Sequence, residues 1–170
     1  MKKTTGSYPR LAVDAKGGSA VGQAGGVLLT STVKAAGLDA GLFAALAPWR
    51  PAKATHDPAE VLVDLALTLA LGGDTCSDLA VVRAEPAVFG PVASDPTLSR
   101  TIARLAGDVY KVLPAIDRAR AAARARVWAA AGTSAPDQGA DAANPLVIDV
   151  DATLVTAHSE KENARPTFTC

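Results

Sequence analysis

The sequence is poor in aromatic residues and in cysteine, and both shortages restrict the kind of protein it can be. Phenylalanine, tryptophan and tyrosine make up 4% of the 170 residues, while 49% of the residues are hydrophobic. The core is therefore expected to consist of alanine, leucine and valine. Two cysteines, Cys76 and Cys170, form neither a CxxC metal motif nor a disulfide framework. This cysteine usage favours a reduced, cytoplasmic setting.

The chain also lacks net charge and a long apolar run. Its 17 basic and 17 acidic residues cancel, so any contact with nucleic acid has to come from a local basic patch. The longest apolar stretch, 61–71, contains Asp64 and is much shorter than the roughly 20 residues that span a membrane. Residues 1–10 contain no apolar segment of the kind found in signal peptides. We therefore expect no membrane association.

Most of the sequence has the periodicity of helices. Residues 1–26 form a glycine-rich lead-in, in which 10–14 is a possible short strand. A helical domain is predicted over 27–132. Its clearest helix starts at Asp57, with proline at the first helical position and Glu60 at the third, and it is apolar enough to be the central buried helix. An Asp-Pro pair at Asp95 predicts another start. The predicted helices are 27–36, 38–46, 58–71, 77–83, 98–105 and 115–131, with interruptions near Pro86, Gly107 and Pro114.

The composition changes near residue 140. Residues 133–144 (TSAPDQGADAAN) have the composition of a linker. The next eleven residues, 145–155, include five β-branched ones and predict the first convincing strand. The expected fold class is therefore mainly α, with a helical N-terminal domain followed by the beginning of an α/β domain over 145–170.

Two aspartates lie on this predicted strand. With a period of two, Asp149, Asp151 and Thr153 share one face of the strand. Ionised carboxylates are costly to bury without compensation. A divalent cation is one such compensation, because Mg²⁺ and Mn²⁺ prefer carboxylate oxygens and two-metal sites use them in phosphoryl transfer. The alternative is an edge strand whose aspartates face water, and spacing alone leaves both interpretations open.

The residues around the aspartates form three recognisable segments: LVIDVDAT at 146–153, TAHSEKE at 156–162 and PTF at 166–168. Together with SDPTLSR at 94–100, these segments resemble bacterial insertion-sequence transposases of the DDE group. The resemblance implies an RNase H-like catalytic core whose first metal-binding aspartate stands in a D-x-T context, which Asp151 matches. Asp149 is the second candidate ligand, or a partner of the first. The resemblance also implies Mg²⁺ or Mn²⁺ as cofactor, the element's terminal inverted repeats as DNA partner, a possible homo-oligomer and association with the bacterial nucleoid.

A DDE site also needs a second aspartate and a glutamate, both supplied much further along the chain. Only nineteen residues follow Asp151, and Glu160 and Glu162 are too close to it to serve as the distant glutamate. We therefore expect the chain to be an N-terminal fragment of a transposase, with the catalytic domain truncated.

Arginines on two predicted helices are candidates for contact with DNA phosphates. Arg100 and Arg104 lie on one helix, and Arg120 and Arg124 are four residues apart on the alanine-rich one. The alternative is that these arginines only lie on a helix face that is exposed to solvent. The helix at 94–105 is either the recognition helix of a helix-turn-helix or a packing helix, and His56 is interpreted as a surface residue.

Two other functions stay open at this point. The chain can be a non-catalytic helical module for DNA binding or dimerisation, acting as a repressor-like fragment. It can also be a poorly folded product, because an isolated catalytic strand leaves its edge hydrogen bonds unpaired.

Because the 170-residue chain contains one complete D-x-T aspartate but no distant acidic partners, we expect no strand transfer from this polypeptide alone. The measurement is cleavage and joining of labelled inverted-repeat DNA in the presence of Mg²⁺ or Mn²⁺. Metal-dependent turnover that Asp151→Ala abolishes would show that the acidic site is complete after all.

Overall fold

The computed structural model describes residues 25–149 and divides the chain into two units, Met1–Ala135 and Pro136–Cys170. The described part of the first unit is helical, and no strand is assigned anywhere between residues 25 and 149. The predicted mainly α fold class is therefore confirmed. The helices are α1 (Gly26–Ala36), α2 (Leu38–Leu46), α3 (Pro58–Ala70), α4 (Leu79–Arg83), α5 (Pro86–Phe89), α6 (Asp95–Ala106) and α7 (Val109–Ala131), with 3-10 turns at Ala47–Trp49, Cys76–Asp78 and Gly132–Ser134.

Helix α3 begins as its sequence predicts. The Asp57 carboxylate accepts a hydrogen bond from the Ala59 amide at 2.9 Å, and the Glu60 carboxylate accepts one from the Asp57 amide at 3.4 Å, which completes a capping box. The helix packs against α1, α2, α4 and α6 and buries Val61, Val63 and Leu67. Its predicted central position is confirmed, although Leu69 on the far side is 53% exposed.

Small side chains allow α7 to lie close to α2. Ala115, Ala119 and Ala123 recur every fourth residue and form the buried stripe of α7. A Cβ atom built on Gly41 of α2 would lie 3.6 Å from the Ala119 Cβ, which is ordinary van der Waals contact. The expectation that alanine supplies much of the core therefore holds at this interface, where larger side chains would push the two helices apart.

The turn between α1 and α2 depends on a glycine. Gly37 has φ of 68° in the left-handed region, and its amide donates to the Lys34 carbonyl at 3.0 Å. This confirms the predicted end of α1 at Gly37. The Arg126 guanidinium of α7 reaches this turn and donates to the Ala36 carbonyl at 3.4 Å. Arginine therefore neutralises the partly negative end of α1 and ties α7 to it.

Three helix boundaries differ from the prediction. Helix α7 starts at Val109 and continues through Pro114, because the proline removes one backbone bond near an exposed helix start while Val112 and Ala115 stay packed in the core. The segment after Pro86, predicted to be broken, forms the four-residue helix α5. At α6 the N-cap is Ser94, and the Asp95 side chain pairs with Arg83 instead of capping.

The described part of the second unit, 136–149, is mostly exposed and contains a turn. The Asp141 carboxylate accepts from the amides of Ala143 and Asn144 at 2.8 and 2.7 Å. Residues 145–149 have no assigned secondary structure. The rest of the strand predicted over 145–155 lies outside the described residues, as do Asp151 and the possible strand at 10–14. These strands, and the domain boundaries drawn from them, stay predictions.

Between residues 25 and 149, no single helix is long and apolar enough to cross a membrane. Gly26–Ala36 and Leu38–Trp49 form a pair bent by 65°, and together they are long and apolar enough to cross a membrane by length and composition only.

Gly37→Ala is expected to destabilise the first unit by about 1–2 kcal/mol, because an L side chain is strained in the left-handed region. The new Cβ would also displace the Arg126 guanidinium. Urea denaturation followed by circular dichroism measures the effect. Gly41→Ala is the matched control: its Cβ finds ordinary contact, and alanine favours helix over glycine, so this variant should be as stable as the parent or more stable.

The Asp57 carboxyl predicts a specific pH dependence of stability. Burial raises its pKa above the ordinary aspartate value, opposed by the Ala59 amide and by Arg50. A raised folded-state pKa adds stability that is fully present below the unfolded-state pKa and is lost as pH rises through the folded-state pKa. Asparagine keeps the cap but does not titrate. Asp57→Asn should therefore gain stability relative to the parent as pH rises from about 4, measured by urea denaturation, and parallel pH profiles would contradict this.

Candidate nucleic-acid interface

One side of α6 carries a stripe of hydroxyl and guanidinium groups. Thr97, Arg100, Thr101 and Arg104 follow the spacing i, i+3, i+4 and i+7, which places them on one face of a helix. Leu98 and Leu105 lie on another face, which is buried in the core at 0% and 6% exposure. The sequence of α6 therefore both anchors the helix and directs two cations to its other side.

The connector between α2 and α3 lies opposite this stripe. Its Ala54 amide donates to the Pro51 carbonyl at 3.0 Å, so the chain turns at this point. Between the connector and α6 lies a groove of about 370 Å³. The residues that line it are Pro51, Ala54, Thr55, His56, Pro58, Thr97, Arg100, Thr101 and Arg104.

The connector is held at both ends by Asp57. The same carboxylate that caps α3 lies 3.4 Å from the Arg50 Nε, and its side chain is 1% exposed. Because the carboxylate is buried, this ion pair is screened less by salt than an exposed one. Arg50 also lies over the Phe43 ring, 5.9 Å from the centroid. The segment 50–57 is thus closed into a loop whose position is determined by the start of α3.

The other wall is fixed by an arginine of α4. Arg83 donates from Nε and Nη2 to the Ala93 carbonyl at 3.1 and 2.9 Å, and from Nη2 to the Asp95 carboxylate at 2.5 Å. The planar guanidinium holds the chain just before α6 and the first residue of the helix in one geometry. Arg83 therefore positions the helix that carries Arg100 and Arg104.

The groove has an excess of positive charge. No acidic residue is among the described residues that line it. Arg100 donates to the Thr97 hydroxyl at 3.1 Å, and within residues 25–149 neither Arg100 nor Arg104 forms an ion pair with a carboxylate. The carboxylate of Glu60 lies 4.0 Å from the Nδ1 of His56, which lines the groove. The arrangement suits an anion with several oxygens, such as a phosphate.

The two arginines predicted on α7 have different surroundings. Arg120 pairs with Asp117 at 3.2 Å, where both side chains are exposed. The Arg124 guanidinium lies over the Trp128 ring, 5.8 Å from its centroid. Neither residue lines the groove, so the structure brings together Arg100 and Arg104 but does not add Arg120 and Arg124 to them.

The predicted acidic pair is only partly described. Asp149 is exposed, and Asp151 lies outside the described residues. Among residues 25–149, no group of three or more histidine, cysteine, aspartate or glutamate side chains is arranged to hold a metal ion. Asp149 by itself offers a single carboxylate, so the described residues do not form a site that fits a catalytic metal.

Sequence reasoning identified both arginines of the groove and missed its other residues. His56, interpreted as a surface residue, has a side chain that is only 16% exposed. Thr97 and Thr101 were detectable, because they share the helical spacing of the two arginines. The wall formed by Pro51, Ala54 and Pro58 had no such signal, since its position depends on the packing of α3 against α6.

Comparison with models of known protein families gives a match over nearly the whole sequence. The family model described as transposase DDE domain group 1 matches residues 3–169. No curated protein and no solved structure matches the chain. Transposases of the DDE type act on DNA and generally use a divalent metal ion. Since the match covers nearly the whole sequence, the chain belongs to the family of DDE transposases, in the group that the matching model describes.

Proposed function

We propose that this chain serves DNA transposition by binding the ends of the mobile element through the groove between α6 and the 50–57 connector. The observation that carries the proposal is the pair Arg100 and Arg104. Both guanidinium groups line one concave surface, and no carboxylate of the described chain neutralises either of them. A local cationic surface of this kind supplies DNA affinity in a protein whose net charge is zero.

The partners implied by the resemblance are part of the same proposal. The DNA would be the terminal inverted repeats of an insertion sequence, and binding to it would associate the protein with the bacterial nucleoid. Phosphate contacts position a protein on DNA without reading its sequence, so the groove accounts for affinity and register. The choice of end sequence, and any assembly of two or more copies on paired ends, requires other surfaces.

For the catalytic part, we propose Asp151 as the first ligand of Mg²⁺ or Mn²⁺ and Asp149 as its alternative or its partner. The support is the resemblance of the segment 146–153 to the D-x-T context of DDE transposases. A metal bound there would supply charge neutralisation at the reacting phosphate. The groove itself does not depend on these aspartates.

A second function, DNA binding without catalysis, is supported by the location of the groove. Within residues 25–149, every residue that lines it lies between Pro51 and Arg104, in the first unit. This location supports DNA binding by the helical unit without residues 136–170. A repressor-like module that competes for the element's ends would use the same arginines as the transposase.

The double variant Arg100→Ala and Arg104→Ala should weaken binding to duplex DNA and make it less sensitive to salt. Each phosphate contact contributes roughly 0.9 to the slope of log K against log salt concentration. Removal of two contacts should therefore reduce that slope by about two. Fluorescence anisotropy with labelled inverted-repeat duplex, repeated over a range of salt concentrations, measures both effects.

The matched control is the double variant Arg120→Ala and Arg124→Ala, which removes the same charge from α7. The predicted DNA contacts of these residues stay open, but each already has a partner in Asp117 or Trp128. We expect a smaller loss of affinity than for the groove variant. Equal losses from both variants would mean that total charge, and not the groove, determines binding.

A further inference from the structure

The groove contains an apolar wall as well as its arginines, and simple phosphate binding leaves that wall without a role. Pro51, Ala54 and Pro58 line the connector side, across from the guanidinium groups of α6. The volume of about 370 Å³ falls at the lower end of the range of roughly 300–1,000 Å³ found for pockets that enclose a small organic ligand. A phosphate alone would fill little of this space.

An intact duplex is too large to fill this groove. The groove of about 370 Å³ is much smaller than a duplex, whose bases are stacked inside, so duplex phosphates can reach the arginines at its edge while the bases stay outside it. An unpaired nucleotide is different, because its base can leave the stack and enter a pocket while its phosphate stays on cationic side chains. The two kinds of wall match the two parts of such a nucleotide.

We propose that the groove holds one unpaired nucleotide at a DNA end, with its phosphate on Arg100 and Arg104 and its base against Pro51 and Ala54. The inference rests on the proposed function, since it assumes that DNA is the ligand. It adds that the protein distinguishes a frayed or single-stranded end from continuous duplex. The ligand class is a nucleotide of single-stranded DNA.

His56 supplies a planar surface at the same place. The imidazole and the arginine guanidinium groups are planar, and unstacked bases pack on such planes in single-strand binding sites. The Glu60 carboxylate lies 4.0 Å from the His56 Nδ1, on the α3 side. An unpaired base entering the groove would therefore meet an apolar wall and a planar ring.

The test compares binding to a blunt-ended duplex with binding to the same duplex carrying a short single-stranded extension. Base stacking in such sites has a free energy that corresponds to a preference of about fivefold to tenfold or more. We expect the unmodified chain to prefer the extended duplex by this factor in fluorescence anisotropy. Ala54→Leu, which fills the groove, should reduce the preference to near one.

Ala52→Leu is the matched control, because Ala52 is exposed on the same connector and does not line the groove. It should keep the preference of the parent. A second pair avoids dependence on the folding of Ala54→Leu: His56→Ala should lower the preference, and His56→Phe, which retains a planar ring, should keep it. Circular dichroism verifies that each variant is folded.

The outcomes separate this inference from the function on which it rests. Equal binding of both DNAs by the unmodified chain, or an unchanged preference in both Ala54→Leu and His56→Ala, would overturn the nucleotide proposal and leave phosphate contact by the rim. If the Arg100→Ala and Arg104→Ala double variant binds both DNAs as tightly as the unmodified chain does, the proposal that the groove binds DNA is overturned. A preference that is lost in Ala54→Leu and kept in Ala52→Leu supports the inference.

Discussion

The buried carboxylate of Asp57 is the interaction on which both the central helix and the groove depend. One of its oxygens accepts from the Ala59 amide and starts α3, while the other faces Arg50 at the beginning of the connector. Burial raises the pKa of this carboxyl, so keeping it ionised has a cost. The same residue therefore links the start of a core helix to the position of one wall of the groove.

Two other arginines hold helices in place through hydrogen bonds to backbone carbonyls. Arg83 holds the chain at Ala93 and orients α6, and Arg126 ties α7 to the end of α1. Both use the guanidinium as a rigid donor toward the protein itself. Arg100 and Arg104 have no such carboxylate or carbonyl partner in the described chain, which distinguishes arginines that build the fold from arginines available to a ligand.

Much of the helical architecture was predictable, because its signals are local. The capping box at Asp57 and Glu60 and the glycine after α1 each act within one turn of helix. The boundaries of α6 and α7 were less predictable. Asp95 was expected to cap α6 but pairs with Arg83, twelve residues earlier. Pro114 was expected to interrupt or kink a helix, and α7 continues through it with Val112 and Ala115 packed in the core. A distant partner changed the outcome in each case.

The sequence by itself determined the family, the mainly α class and the identity of the two groove arginines, because motif strings, helical periodicity and a shared helix face are all read along the chain. Only the tertiary structure decided that Pro51, Ala54 and His56 stand opposite those arginines. These residues have no periodicity of their own, and their place depends on how α3 packs against α6 and on one buried carboxylate. The groove is thus a product of packing between segments about forty residues apart, which no local pattern encodes.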